Sequence, residues 1–128
     1  MSNTLGSKIL IAEDDQVNRK LAELLFKRHG YEIDFAEDGN QAVAKATAQA
    51  YRIIIMDIEM PGRNGLEAAQ AIRAELGEQT PPIVALTAHT MEGQREQFLA
   101  EGMDAYLSKP IKIEAFEEIL AEQGLGNS

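Results

Sequence analysis

Ile53-Ile54-Ile55-Met56-Asp57 is apolar at four successive positions and closes on a carboxylate. A strand with one face in water alternates apolar and polar residues, whereas a strand covered on both faces has no reason to. The segment therefore reads as a central strand of a parallel sheet with helices on either side, and Ile9-Leu10-Ile11 reads the same way. Strand-like runs recur at 8–12, 31–35, 52–57, 82–87 and 105–108. Segments of helical period fall between and after them, at 16–29, 39–50, 65–76, 91–101 and 113–123. In the last, Ile113, Phe116, Ile119 and Leu120 share one face. Five strand–helix repeats call for a parallel α/β sheet, because each parallel strand must return through a right-handed crossover. Gly30, Gly77 and Gly102 sit where helices should end.

A chain of 128 residues is expected to form one domain, here over 8–123, with polar tails at 1–7 and 124–128. The absence of cysteine excludes a disulfide scaffold and thiolate metal sites. A net charge of −9 argues against nonspecific attraction to nucleic acid or anionic lipid, so partners are expected to be proteins, cations or small molecules. No apolar run approaches the roughly 18 residues of a membrane span, and the first residues lack the pattern of a signal peptide. A cytoplasmic location is the expectation.

In a doubly wound sheet, ligands bind beyond the carboxyl ends of the strands. The first strand is followed there by Glu13-Asp14-Asp15, the third ends on Asp57, the fourth on Thr87, and the fifth is followed by Lys109-Pro110. Carboxylates gathered from two strand ends raise one another's pKa unless a cation sits among them. Oxygen donors without cysteine or a paired-histidine motif point to Mg²⁺, with Mn²⁺ as the alternative. Such a site suits phosphoryl transfer, and a carboxylate can be the acceptor. Each residue alone has a plainer reading: Asp14 and Asp15 as helix caps, Thr87 as a β-branched strand end, Lys109 as a surface lysine. Asp57 is harder to set aside, because a carboxylate closing so apolar a run is costly unless it is partnered.

The chain resembles the receiver domains of two-component response regulators. The resemblance rests on Ile9-Leu10-Ile11-Ala12-Glu13-Asp14-Asp15, Met56-Asp57-Ile58-Glu59-Met60-Pro61-Gly62-Arg63-Asn64-Gly65-Leu66-Glu67, Ala85-Leu86-Thr87-Ala88, and Gly102-Met103-Asp104-Ala105-Tyr106-Leu107-Ser108-Lys109-Pro110-Ile111. It implies a flavodoxin-like fold with five parallel strands in the order 2-1-3-4-5 and five helices; that order is the family's general one and comes from the resemblance alone, since the residues by themselves leave the order of strands open. It implies that Asp57 accepts a phosphoryl group from a phosphohistidine. Mg²⁺ would be held by Glu13, Asp14, Asp57 and the backbone carbonyl of Glu59, while Thr87 and Lys109 contact the phosphoryl oxygens. It also implies a cis Lys109–Pro110 bond, a switch through Thr87 and Tyr106 that remodels the surface of helix four, strand five and helix five, and an influence of Glu59 and His89 on phosphoryl lifetime. The chain would catalyse its own phosphorylation and dephosphorylation, although its role would be signalling rather than metabolic catalysis.

Two departures stand out: the first acid is Glu13 where aspartate is usual, and Asp15 stands where many relatives have asparagine. The wording around Val17-Asn18-Arg19 and Leu86-Thr87-Ala88-His89 is similar to receivers of hybrid histidine kinases. By resemblance Leu21, Ala22, Leu25 and Phe26 face the sheet, leaving Val17 and Leu24 near the acidic site as a docking edge for a histidine kinase or histidine phosphotransfer domain. A downstream protein partner, and either a monomer or a phosphorylation-dependent dimer, complete the expectation. The rivals are a receiver-like binding module that works without phosphorylation and a small phosphatase with an aspartate nucleophile. The intact acid, aspartate, threonine and lysine set weakens the first. The lack of a cap and of a second aspartate after Ile58 weakens the other.

Overall fold

In the computed structural model of the chain the described residues are 8–60, 64–88 and 94–124. The tails expected at the two ends lie outside them except for Gly124, as do His89 and the start of the predicted fourth helix. Five strands, β1 (Ile9–Ala12), β2 (Ile33–Ala36), β3 (Ile53–Asp57), β4 (Ile83–Thr87) and β5 (Ala105–Ser108), form one parallel sheet in the order β2-β1-β3-β4-β5. Five helices alternate with them: α1 (Gln16–Arg28), α2 (Gly39–Ala48), α3 (Gly65–Leu76), α4 (Gln94–Ala100) and α5 (Ile113–Glu122). A 3-10 turn, Gly77–Gln79, follows α3.

Every residue of β1, β3 and β4 is buried, as the unbroken apolar runs require of strands covered on both faces. Alternation along each strand divides the core in two. Leu10, Ile54, Met56, Ile83 and Ala85 pack under α2, α3 and α4, through small residues such as Ala42, Ala68 and Ala69. Ile9, Ile11, Ile53, Ile55, Val84 and Leu86 pack under α1 and α5, against Phe26 and Phe116. These two rings meet edge-on at 4.8 Å, and Tyr31 joins them. All four apolar residues of the α5 face are buried.

Two expectations need correcting. The second strand begins at Ile33 and not at residue 31, because the Tyr31 ring turns into the Phe26–Phe116 cluster and its hydroxyl donates to Glu117 at 3.0 Å. Leu21 does not face the sheet: it is 56% exposed, while Ala22 and Phe26 carry the packing. At about 100° per residue Leu21 points roughly 140° away from Phe26, so both cannot lie on one narrow stripe. Leu21 instead joins Val17 and Leu24 on the outer face.

Helix ends follow local chemistry. Asp15, Asp38 and Asn64 cap α1, α2 and α3 through side-chain oxygens, and Glu67 completes a capping box with Asn64. Gly77 after α3 and Gly102 after α4 take φ of +57° and +103°, a backbone that side chains disfavour.

Candidate functional site

Because the strands are parallel, their carboxyl ends deliver their next residues to one edge. Asp57 is the last residue of β3 and Glu13 immediately follows β1; both are buried, at 1% and 2% exposure. Asp14 is exposed beside them, and one carboxylate oxygen from each of the three lies within 4.8 Å of the others. Lys109, on the loop after β5, reaches back over the edge: its Nζ donates to Asp57 Oδ2 at 2.7 Å and stands 3.3 Å from Glu13 Oε1. Its backbone N–H donates to the Thr87 carbonyl at 2.8 Å, and the Lys109–Pro110 bond is cis.

The other carboxylate oxygens of Asp57 and Glu13 are held by backbone. Asp57 Oδ1 accepts from the Glu59 N–H at 2.9 Å, and Glu13 Oε2 from the Asp15 N–H at 3.1 Å. Burial, opposed by the Asp15 amide and reinforced by the negative charge of Asp57, pushes the Glu13 carboxyl above its usual range. For Lys109 burial acts downward, yet the hydrogen bond and charge of Asp57, joined by Glu13, outweigh it and the net shift is upward. The cluster holds three carboxylates against one ammonium. Oxygen donors of this kind, two of them buried, fit a hard divalent cation.

Thr87 ends β4 one position beyond Leu86, the residue in register with Asp57, and is 7% exposed. Strand alternation puts it on the side covered by α2, α3 and α4, the side to which Tyr106 also belongs. Tyr106 is partly buried with its ring centroid 6.4 Å from that of Phe98 in α4. Glu59 is exposed in side chain and contributes its amide to Asp57. Val17 and Leu24 are 64% and 59% exposed on α1. Asp15 takes the capping role, accepting from the Val17 N–H at 3.3 Å.

Two residues at this edge were not singled out by their sequence signal. Gly65, the first residue of α3, packs directly on the end of β3. A Cβ there would overlap the Asp57 carbonyl oxygen and lie 2.9 Å from its carbonyl carbon, so only glycine lets α3 approach. Arg19 of α1 donates through Nη1 to the Glu13 carbonyl at 2.8 Å. A glycine opening a helix was a usable signal; an arginine in a charged helix was not.

The family described as response regulator receiver domain matches residues 9–121. The chain belongs to that family. Among receivers and proteins that contain them, it is 41% identical over 130 residues to hybrid signal transduction histidine kinase I of Dictyostelium discoideum, covering 95% of this chain but 7% of that protein's length. The receiver domain of sensor histidine kinase PA1611 from Pseudomonas aeruginosa PAO1, solved with a magnesium ion coordinated in its active site cleft, superposes with a TM-score of 0.81 at 38% identity, covering 93% of this chain and 98% of that one. A chain of the co-crystal of the Saccharomyces cerevisiae phosphotransfer protein Ypd1 with the receiver domain of Ssk1 gives 0.80 at 26% identity, covering 93% and 90%. This chain is thus a receiver domain of phosphorelay signalling with an acidic pocket at the strand ends. Among its described residues no helix is long and apolar enough to cross a membrane.

Proposed function

We propose that this receiver accepts a phosphoryl group from a phosphohistidine on Asp57. The observation that carries the reading is the buried Asp57 carboxylate gripped by Lys109 at 2.7 Å with Glu13 and Asp14 alongside. A carboxylate oxygen of Asp57 attacks phosphorus; a P–O bond forms, and the P–N bond breaks with its electron pair left on the imidazole nitrogen, which takes up a proton. Glu13, Asp14, Asp57 and the Glu59 carbonyl would hold Mg²⁺, or Mn²⁺ in its place, which when bound neutralises charge on the moving group. Lys109 exchanges its bond to Asp57 for one to a phosphoryl oxygen, and the Thr87 hydroxyl takes another.

Those two new bonds give the switch its energy. Shifting an inactive-to-active ratio from 1:99 to 99:1 takes about 5.5 kcal/mol, and charge-assisted hydrogen bonds supply roughly 1.5–3 kcal/mol each. As Thr87 moves toward the phosphoryl group, Tyr106 turns into the space beside it and the surface of α4, β5 and α5 changes for a downstream protein or for a second copy of the chain. The donor, a histidine kinase or histidine phosphotransfer domain, docks on the exposed edge of α1 at Val17, Leu21 and Leu24; substitution of Val17 and Leu24 by lysine should slow transfer from the protein donor and spare labelling by acetyl phosphate. Glu59 and His89 tune the phosphoryl lifetime, which exchanging both side chains and timing dephosphorylation would test. The reactions belong to the cytoplasm, where kinase domains have ATP.

Intact mass after incubation with acetyl phosphate tests the central step. The expected result is one phosphoryl adduct that requires Mg²⁺, disappears with excess chelator and is absent in Asp57→Asn. No adduct from acetyl phosphate or from a phosphotransfer donor, with the fold intact, would overturn it in favour of a phosphorylation-independent module.

A further inference from the structure

Arg19 lies in the first turn of α1 and is partly buried. It bonds twice to the loop that carries the acidic pair: its backbone N–H donates to the Asp15 carbonyl at 2.9 Å, and its guanidinium Nη1 donates to the Glu13 carbonyl at 2.8 Å. The second bond acts on the peptide plane between Glu13 and Asp14. That plane is rigid, so holding its oxygen also sets the direction in which the chain continues to Asp14. Glu13 has other anchors, Asp15 and Lys109, on its carboxylate. Asp14 differs: it is exposed, and among the described residues no donor holds its carboxylate, so its place in the cluster depends on the backbone.

We propose that Arg19 is a positioning residue for divalent-cation binding, acting through the Glu13 carbonyl to hold Asp14 beside Glu13 and Asp57; this rests on the metal-site reading above. The alternative is purely electrostatic, and it has the opposite sign. A guanidinium near the acidic loop repels a cation, so if charge were its whole influence, removing it would tighten binding. Partners that orient metal ligands from outside typically cost 10–100-fold in affinity when removed.

The test is titration calorimetry of MgCl₂ into the whole chain, unphosphorylated and at neutral pH, for the unaltered protein, Arg19→Met and Arg19→Lys. Arg19→Met should weaken Mg²⁺ binding by roughly tenfold. Arg19→Lys, which keeps a donor of similar reach, should recover most of the loss. An unchanged or tighter dissociation constant in Arg19→Met would overturn the proposal, and so would a lowered metal-free urea midpoint with unaltered Mg²⁺ affinity, the mark of a merely structural bond. If Arg19→Met loses its far-ultraviolet circular dichroism, Arg19→Gln, too short to reach the carbonyl, is measured in its place with the same two outcomes. Failure of the unaltered protein to take up Mg²⁺ would overturn the metal-site reading and this proposal with it, whereas normal uptake with an unaffected variant removes only the role of Arg19.

Discussion

The two ends of the sheet treat charge in opposite ways. At the amino ends of the strands, charges are matched. Arg73 reaches from α3 to donate to the Gly102 carbonyl at 2.8 Å and to Asp104 at 2.6 Å, and the same Asp104 oxygen accepts the first N–H of β4 at 2.8 Å. Tyr51, buried before β3, donates to Asp34 at 2.8 Å and accepts from Gln49, while Lys8 stands 3.7 Å from Asp34. Burial and the Asp34 carboxylate raise the Tyr51 pKa, which keeps the phenol protonated as a donor. At the carboxyl ends, three carboxylates face one ammonium. The first end ties elements together; the second holds mutual repulsion in place, the imbalance on which the proposed cation and phosphoryl chemistry rests.

The largest expected break in this contrast comes from Gly65→Ala, whose methyl has no room against Asp57: overpacking of this kind costs about 3 kcal/mol, read as a lower urea midpoint, and phosphorylation from acetyl phosphate should fall with it. Next is the metal. At a hundred times its dissociation constant, Mg²⁺ should add ~2.7 kcal/mol to the stability of the unaltered protein and much less to Asp14→Ala, because among the described residues only the carboxyl-end cluster offers a site. At the amino ends, Arg73→Met should cost about 1–2 kcal/mol in urea denaturation, moderated by the partial exposure of the pair, with phosphorylation of Asp57 unchanged.

The smallest effect is a slope in pH. The folded state raises the Glu13 pKa above 4.5, so the folded chain binds the extra proton. Its stabilising contribution is complete below pH 4.5 and is lost as pH rises through the elevated value. Metal-free urea midpoints measured upward from pH 4.5 should therefore decline less steeply in Glu13→Gln. Lys109 carries the same sign in another window: its contribution is present below pH 10.5 and lost as pH rises through its elevated value.

Much of this was legible in the order of residues. Runs such as Ile53 to Met56 are long and uniform enough to announce buried parallel strands, and their ends point to the edge where Glu13, Asp14, Asp57 and Lys109 meet. The apolar face of α5 could be read residue by residue, since helical period depends only on spacing. Errors arose where a residue had two apolar options. Tyr31 has strand character but packs as an aromatic against Phe26 and Phe116, and Leu21 is apolar but is 56% exposed on α1. The partners of Arg73 and Arg19 were invisible because long basic side chains look alike in a sequence whether they meet solvent, an acid 31 positions away or a carbonyl six positions back.

The alternation of strands and helices, the central place of β1 and β3, and the family whose acidic, aspartate, threonine and lysine positions this chain carries can all be read from the order of residues. Those features are local: burial on two faces, helical period and strand-end position are written in neighbouring residues. That Lys109 grips Asp57 across 52 positions, that α3 can approach β3 only through Gly65, and that Arg19 fastens the loop bearing Asp14 emerges from the folded arrangement alone. Such contacts depend on distances and angles between elements, which follow from how the two cores pack and not from any short stretch of residues.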